Sequence, residues 1–329
     1  MAPAQGRITL WMIEVFAAVA ETRSVSVAAR RLGASPSAVS QQLSNLDAAL
    51  GVALVDRGAR PLALTPPGTV FLRRAQNILA EAALARADLG DRSLVHLTRF
   101  RLGMIEDFDA DVTPRLLTEM AGILQECRFL LETGASHRLL EGLAGRDLDI
   151  VVTAETGAIP AEMEVHPLLE EPFVAVLPRG RAAAGEPVDY ADLADLVPIF
   201  YTGRHHMGRL IAAHLARQDI RFAPRFEMDS YHAILSMVAE GRGWSILSPL
   251  GLRRARRFAD CVAVAPLPGP RLSRRIVLAA RRGGMGALPA DTAARLRGIV
   301  GEMLVDPVLA DWPWLGGAIV VLSDDGAAA

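Results

Sequence analysis

The residues whose types and spacing suit a chemistry form one stripe and one cluster. Ser37, Ser40, Gln41 and Ser44 step by three, one and three, the spacing of a single helix face. That face carries short hydroxyls and one amide, without acid and without bulk. Such groups exchange hydrogen bonds with base edges in a major groove, and a glutamine amide can pair bidentately with adenine. The cluster is acidic: Glu106, Asp107, Asp109 and Asp111 lie close together, a density that suits a cationic or amine-bearing ligand. Covalent and metal chemistry fare worse. All 35 basic residues are arginine, which excludes a lysine Schiff base, a pyridoxal-phosphate lysine and a P-loop lysine. His205 and His206 are adjacent, which is not the helical spacing of a metal-binding pair. Gly283-Gly284-Met285-Gly286 lacks dinucleotide-loop spacing, Pro289 interrupts the segment after it, and there is no GxSxG elbow. No catalytic residue, metal or cofactor is expected.

The polar stripe needs a scaffold, and the flanking residues supply one. Thr9 is placed to cap a helix running to about Thr22. A second helix, Ser26 to Leu32, ends at Gly33, where a positive φ costs nothing. Ser35 then caps a third helix with Pro36 at its first position, and Gly51 ends it after Leu50. Two helices joined by a short glycine-containing turn form a helix-turn-helix. On the third helix Val39, Leu43, Leu46 and Leu50 recur by four, three and four, so they bury while the stripe faces outward. Leu54–Arg57 and Leu62–Leu64 read as short strands around Gly58-Ala59-Arg60-Pro61, which makes a wing.

Charge points the same way. Between Thr22 and Ala80 there are seven arginines and two acids, a local balance of +5 inside a chain of 329 residues with net charge −2. Concentrated basicity at one end of a near-neutral chain suits an appended DNA-binding module. Pro36, Ser37, Ser40, Gln41 and Ser44 are the expected base contacts. Arg30, Arg31, Ser35, Gln42, Arg57 and Arg60 are the expected phosphate and wing contacts. After Thr65-Pro66, apolar Phe71, Ala75, Ile78, Leu79, Ala82 and Leu89 recur along a long helix. With no core beside it in sequence, such a stripe pairs with a copy of itself, setting two recognition helices about 34 Å apart on DNA.

The run from Phe16-Ala-Ala-Val-Ala-Glu through Ser35-Pro-Ser-Ala-Val-Ser-Gln-Gln-Leu43 and Leu54-Val-Asp-Arg57 to Leu64-Thr-Pro-Pro-Gly68 closely resembles the N-terminal domain of LysR-type transcriptional regulators. The match spans about the first 90 residues without a gap. It implies a winged helix-turn-helix, a dimerising linker helix and a C-terminal effector domain resembling periplasmic binding proteins. It also implies tetramers that activate or repress in response to an inducer, with RNA polymerase as a further partner. The family often has arginine at the place of Gln41 and a Gln-Pro pair at the place of Pro36-Ser37.

Beyond Arg92 the chain alternates strands with helices, which predicts parallel sheets in two α/β lobes. Strands are expected at Phe100–Ile105, Arg128–Leu131, Asp149–Thr153, Glu171–Leu177, Val197–Tyr201, Arg225–Met228, Trp244–Leu247 and Ile276–Ala280. A ligand belongs beyond the carboxyl ends of such strands. Glu106, Asp107, Thr153, Thr202, Arg204, Ser230 and Ser248 stand there as effector-binding candidates. The acids suit an amine and Arg204 suits a carboxylate, so the effector is expected to be amino-acid-like. Cys127 and Cys261 read as two buried small hydrophobes in a reducing compartment, not as a disulfide. Leu10–Ala20 has the length of a signal-peptide core, but Glu14 interrupts it. No run reaches the length of a membrane span, and a cytoplasmic location with no membrane partner is expected. The tail from Asp311 carries two tryptophans suited to docking on a surface or partner, and its end from Asp324 is expected to be disordered.

The organisation expected is a winged helix-turn-helix over 1–65, a linker helix over 66–93, an effector domain over 94–310 and a tail over 311–329. Its function would be sequence-specific binding to double-stranded operator DNA as a homo-oligomer. Two alternatives remain: a non-specific architectural DNA binder, and a ligand-binding or enzymatic α/β domain with a helical appendage.

Overall fold

The structure is a computed structural model that describes residues 7–90, 97, 99–125, 127–157, 160–183, 185–222 and 224–328. The chain divides into two compact units, Met1–Leu97 and Thr98–Ala329.

The first unit holds α1 (Leu10–Thr22), α2 (Val25–Arg31), α3 (Pro36–Leu50), the strands β1 (Val55–Asp56) and β2 (Ala63–Leu64), and the long α4 (Pro66–Gly90). The caps fall where the side chains dictate. The hydroxyls of Thr9, Ser24 and Ser35 accept from the backbone N–H groups of Met12, Val27 and Ala38, satisfying donors that no helix can satisfy internally. Gly33 and Gly51 take left-handed φ values of 63° and 70°. Phe16, Val19, Val39, Leu43, Leu46 and Leu54 form the core, and β1 pairs antiparallel with β2 as the wing.

α4 corrects one expectation. Phe71 stacks on Phe16 with ring centroids 5.3 Å apart, Ala75 is fully buried, and Leu79 packs on the same core. The first half of the apolar stripe is therefore consumed inside its own unit, because α4 folds back on α1. Ile78 stays 41% exposed, as does Val70 off the stripe at 62%. The Leu89 side chain and positions 91–93 of the expected linker lie outside the described residues.

The second unit is two α/β lobes. The first comprises β3 (Arg99–Ile105), α5 (Val112–Ile123), β4 (Arg128–Gly134), α6 (Ser136–Ala144), β5 (Ile150–Ala154) and β6 (Met163–Pro172). The chain then crosses to β7 (Val174–Pro178), β8 (Ile199–Tyr201), α7 (His206–Arg217), β9 (Phe226–Met228), α8 (Tyr231–Ala239), β10 (Ser245–Leu247), α9 (Pro249–Arg254) and β11 (Val262–Pro266). It returns to the first lobe as β12 (Ser273–Arg281), α10 (Leu288–Val300), α11 (Asp306–Asp311) and β13 (Val320–Val321). The first sheet runs β13-β6-β12-β5-β3-β4 and the second β10-β7-β11. β8 pairs with β9 and is linked to the head of β10 through Ile199 N–H to the Trp244 carbonyl at 2.9 Å.

The sheets are mixed, not parallel as alternation predicts. β3 runs parallel to β4 and β5, but β12 is antiparallel to both β5 and β6, and β7 is antiparallel to β10 and β11. The cause is the double crossover: a strand that returns from the second lobe enters the first sheet from the opposite end. The expected single strand Glu171–Leu177 is likewise two, split at Phe173, whose N–H bonds the Leu272 carbonyl at 2.8 Å. That break is where the chain passes between lobes. Pro289 sits in the first turn of α10, where its missing N–H is harmless, and does not interrupt the chain.

Buried side chains fill each lobe: Phe100, Leu102, Met104 and Leu116 in the first, Trp244, Ile246 and Ile234 in the second. Each such burial contributes about 1.5–3 kcal/mol. The expected disorder of the tail is also corrected. β13 adds antiparallel to the edge of β6, Leu322 bridges to Ala328, and Arg297 binds Asp324. Trp312 is buried, and the Trp314 ring lies against Gly185, so both tryptophans dock on their own unit.

Candidate functional site

The recognition candidate is α3. Val39, Leu43 and Leu46 turn inward, leaving Pro36, Ser37 and Gln41 exposed and Ser40, Gln42 and Ser44 half-buried. Ser35 Oγ lies 3.0 Å from Ser37 Oγ, and the Gln41 amide donates to Asn45 Oδ1 at 2.9 Å. The stripe is thus one polar ridge, with the amide held by a neighbour on the same helix. Ser44 is engaged: its hydroxyl donates to the Ser40 carbonyl at 3.0 Å and accepts from Arg57 Nη2 at 3.0 Å. Arg57 also pairs with Asp47 at 3.1 Å. It therefore ties the wing to α3, which its sequence position did not disclose. Arg31 pairs with Glu21 at 2.7 Å, while Arg30 and Arg60 are exposed.

In the second unit a cavity of about 390 Å³ opens where β3 and β5 end and α6, α7 and α8 begin. Ile105, Glu106 and Ala154 bring strand ends to it, and Ser136, His206 and Ser230 bring helix starts. This is the crevice position that α/β architecture reserves for ligands. Its wall is strongly ionic. Arg254, on α9 of the second lobe, donates to Glu106 at 2.6 Å and Asp109 at 2.9 Å on the first lobe. Arg274, on β12, donates from Nε to Glu171 at 2.7 Å and stands 3.2 Å from Asp107. Glu171 also accepts the Leu250 N–H at 3.1 Å.

Burial works against the charges of Glu171, Arg274 and Arg254. It pushes the Glu171 carboxyl up despite the pull of Arg274. It works against the Arg274 charge too, but Asp107 and Glu171 override it and hold the guanidinium protonated. Burial, then Arg209 and Arg274, pushes His206 below the usual histidine range, so the imidazole is neutral at pH 7. Burial also raises the Tyr201 hydroxyl, which donates to the Asp229 carbonyl at 2.8 Å.

Of the seven sequence candidates, Glu106, Asp107 and Ser230 line the cavity. The other four do not. Thr153 is buried, and its hydroxyl bonds the Ala154 carbonyl at 3.1 Å. Thr202 is buried behind β8 and caps the turn to Arg204. Arg204 itself is exposed and makes no part of the cavity lining. Ser248 is fully buried, capping α9 and accepting from Arg274 at 3.0 Å, so it supports the wall from behind. Sequence reading missed Arg254, Arg274 and Glu171. They stand on late strands and helices, and nothing local separates two arginines from the other 33. Among the described residues no group of three or more His, Cys, Asp or Glu could hold a metal ion, and no helix is long and apolar enough to cross a membrane.

Residues 10–69 match the family described as bacterial regulatory helix-turn-helix protein, lysR family, and residues 95–296 match the LysR substrate binding domain. A probable hydrogen peroxide-inducible genes activator of Mycobacterium avium is 31% identical over 308 residues, covering 90% of this chain and 94% of that protein. The HTH-type transcriptional regulator IlvR of Caulobacter vibrioides is 31% identical over 249 residues, covering 74% and 82%. A cysteine mutant of OxyR from Corynebacterium glutamicum shares the fold with a TM-score of 0.69 at 22% identity, covering 95% of this chain and 97% of that one. The probable transcriptional regulator PA0477 from Pseudomonas aeruginosa gives 0.61 at 20% identity, covering 89% and 97%. A helix-turn-helix unit followed by a two-lobed α/β unit is the fold these matches share, and the chain belongs to the LysR family of sequence-specific, DNA-binding transcriptional regulators.

Proposed function

We propose that this regulator reads its operator with the α3 ridge and answers to a small molecule held in the interlobe cleft. The observation that carries the DNA half is the outward ridge of Pro36, Ser37, Ser40 and Gln41, free of acid, with Arg30, Arg57 and Arg60 exposed around it. Short polar groups enter the groove, and the arginines meet the phosphates. The effector half rests on the cleft lined by Glu106, Asp107 and Ser230. Because Arg254 of one lobe binds Glu106 and Asp109 of the other, an occupant that rearranges this tie changes lobe closure.

Homodimerisation through α4 is part of the proposal. Its support is narrower than the sequence stripe suggests: among the described residues, the exposed large apolar side chains on α4 are Val70 and Ile78, with Leu10 and Trp11 exposed on α1. Assembly to a tetramer, contact with RNA polymerase and a cytoplasmic location belong to the same reading. Genome-wide footprinting of the purified protein tests it. Protection of a few discrete sites is expected, whereas uniform coverage of all sequences, or no retention of DNA at moderate salt, overturns it.

A further inference from the structure

Resting on the reading of the cleft as the effector site, we propose that its occupant carries a protonated amine seated on Asp107 and Glu106, and a carboxylate set where α6 and α8 begin. The ligand class is a small zwitterion of the α-amino acid type.

The amine follows from how the charges are already spent. Asp107, Arg274 and Glu171 form a buried triad whose side chains are 7%, 6% and 0% exposed. Two carboxylates share the one guanidinium of that triad, an excess of acid over base. Asp107 Oδ1 accepts no hydrogen bond, having only the ionic approach of Arg274 at 3.2 Å, and its residue lines the cavity. That buried oxygen shares one guanidinium with Glu171 and takes no hydrogen bond from it, so a donor seated in the cavity would satisfy it. Arg254 is committed in the same way, to Glu106 and Asp109. An acid without an amine would meet two guanidiniums that are each already held by two carboxylates, and would add to the excess. An ammonium completes the set. The Tyr201 ring, 5.3 Å from Tyr231 and 5.7 Å from His205, adds an aromatic face on the same cavity, which favours a cation.

The opposite polarity comes from α6 and α8. Ser136 and Ser230 both line the cavity. Ser136 Oγ accepts from the Ala154 N–H at 3.1 Å and Ser230 Oγ from the Ala233 N–H at 3.4 Å. Each hydroxyl thus keeps its own proton for an acceptor, beside helix starts that favour negative charge. A cavity of about 390 Å³ fits a molecule of this size.

The test titrates the full-length protein with the twenty standard L-amino acids, their 2-oxo acid analogues and the amines from their decarboxylation, read by calorimetry and by gel shift on footprinted DNA. At least one amino acid is expected to bind at least tenfold more tightly than both its oxo acid and its amine. Asp107→Asn should weaken that amino acid at least tenfold and leave the oxo acid unchanged. Should Asp107→Asn fail to fold, Glu106→Gln at the more exposed wall serves, with a loss of severalfold expected. An oxo acid that binds as tightly as its amino acid overturns the ammonium assignment while leaving the effector reading intact. An amine that binds as tightly overturns the carboxylate half. If none of the three classes alters either readout, this inference falls, while the effector reading of the cleft, which names no ligand class, stands.

Discussion

At the residue scale, the arginines near α3 divide into two kinds. Arg60 is exposed on the wing, whereas Arg57 holds the Ser44 hydroxyl and the Asp47 carboxylate. Arg60→Ala is expected to weaken all DNA sequences alike and lower the slope of log K against log salt by about one. Gln41→Ala should change preference at a single operator position by about 1–3 kcal/mol. Arg57→Ala should do some of each, since it frees Ser44. Selection from random DNA at two salt concentrations separates these profiles, and identical profiles for Gln41→Ala and Arg60→Ala would refute the division of roles. The two cysteines are not both buried as expected: Cys127 is half-buried and Cys261 is exposed. Burial, then Asp149, pushes the Cys127 thiol up to about 11. The thiolate is the reactive form, so Cys127 should resist iodoacetamide at pH 8 in the native protein and react only as pH approaches its raised value. Mass spectrometry after timed labelling checks this; prompt modification of Cys127 at pH 8 would contradict it. Neither cysteine lines the cleft.

At the element scale, close packing of α4 against the wing strand fixes the geometry of the first unit. A Cβ added at Gly68 would stand 1.9 Å from the Leu54 carbonyl oxygen, which is backbone and cannot rotate away. Gly68→Ala is therefore expected to destabilise the unit by about 1–3 kcal/mol, the usual range for overpacking. Urea melts of the full chain carrying Trp244→Phe, Trp312→Phe and Trp314→Phe, which leave Trp11 as the single tryptophan, would show this, and an unchanged midpoint would show that α4 can shift freely. Much of this unit was legible from sequence. Thr9, Ser35, Gly33 and Gly51 mark boundaries within a residue or two of those observed, because capping needs only neighbours three or four positions away. The apolar stripe of α4 was legible too, but its partner was not. Phe71 and Ala75 face α1 of the same chain, and periodicity alone does not say which surface an amphipathic helix meets.

At the scale of the whole molecule, assembly must rest on what intramolecular packing leaves uncovered. Ile78→Arg places a charge at a position that is now 41% exposed and apolar. It is expected to shift the protein toward monomer in sedimentation at micromolar concentration, with operator affinity falling at least tenfold as the second recognition helix is lost. An unchanged oligomer would place the interface elsewhere. The effector unit shows how far alternation of strand and helix carries. It located most strands and the strand-end crevice, yet it implied parallel sheets where β6, β7 and β12 run antiparallel to their neighbours. The strand break at Phe173 follows Glu170-Glu171-Pro172, so the proline was the local signal that the expected single strand Glu171–Leu177 overran.

Residue order alone dictates the helix-turn-helix, its polar ridge and its basic surroundings, because those depend on contacts within one or two helical turns and on local charge. The cleft, by contrast, exists only once the chain has folded. Arg254 meets Glu106 across 148 positions and Arg274 meets Glu171 across 103. Which of many identical guanidiniums faces which carboxylate is set by the two crossovers between lobes, and no local spacing encodes that choice.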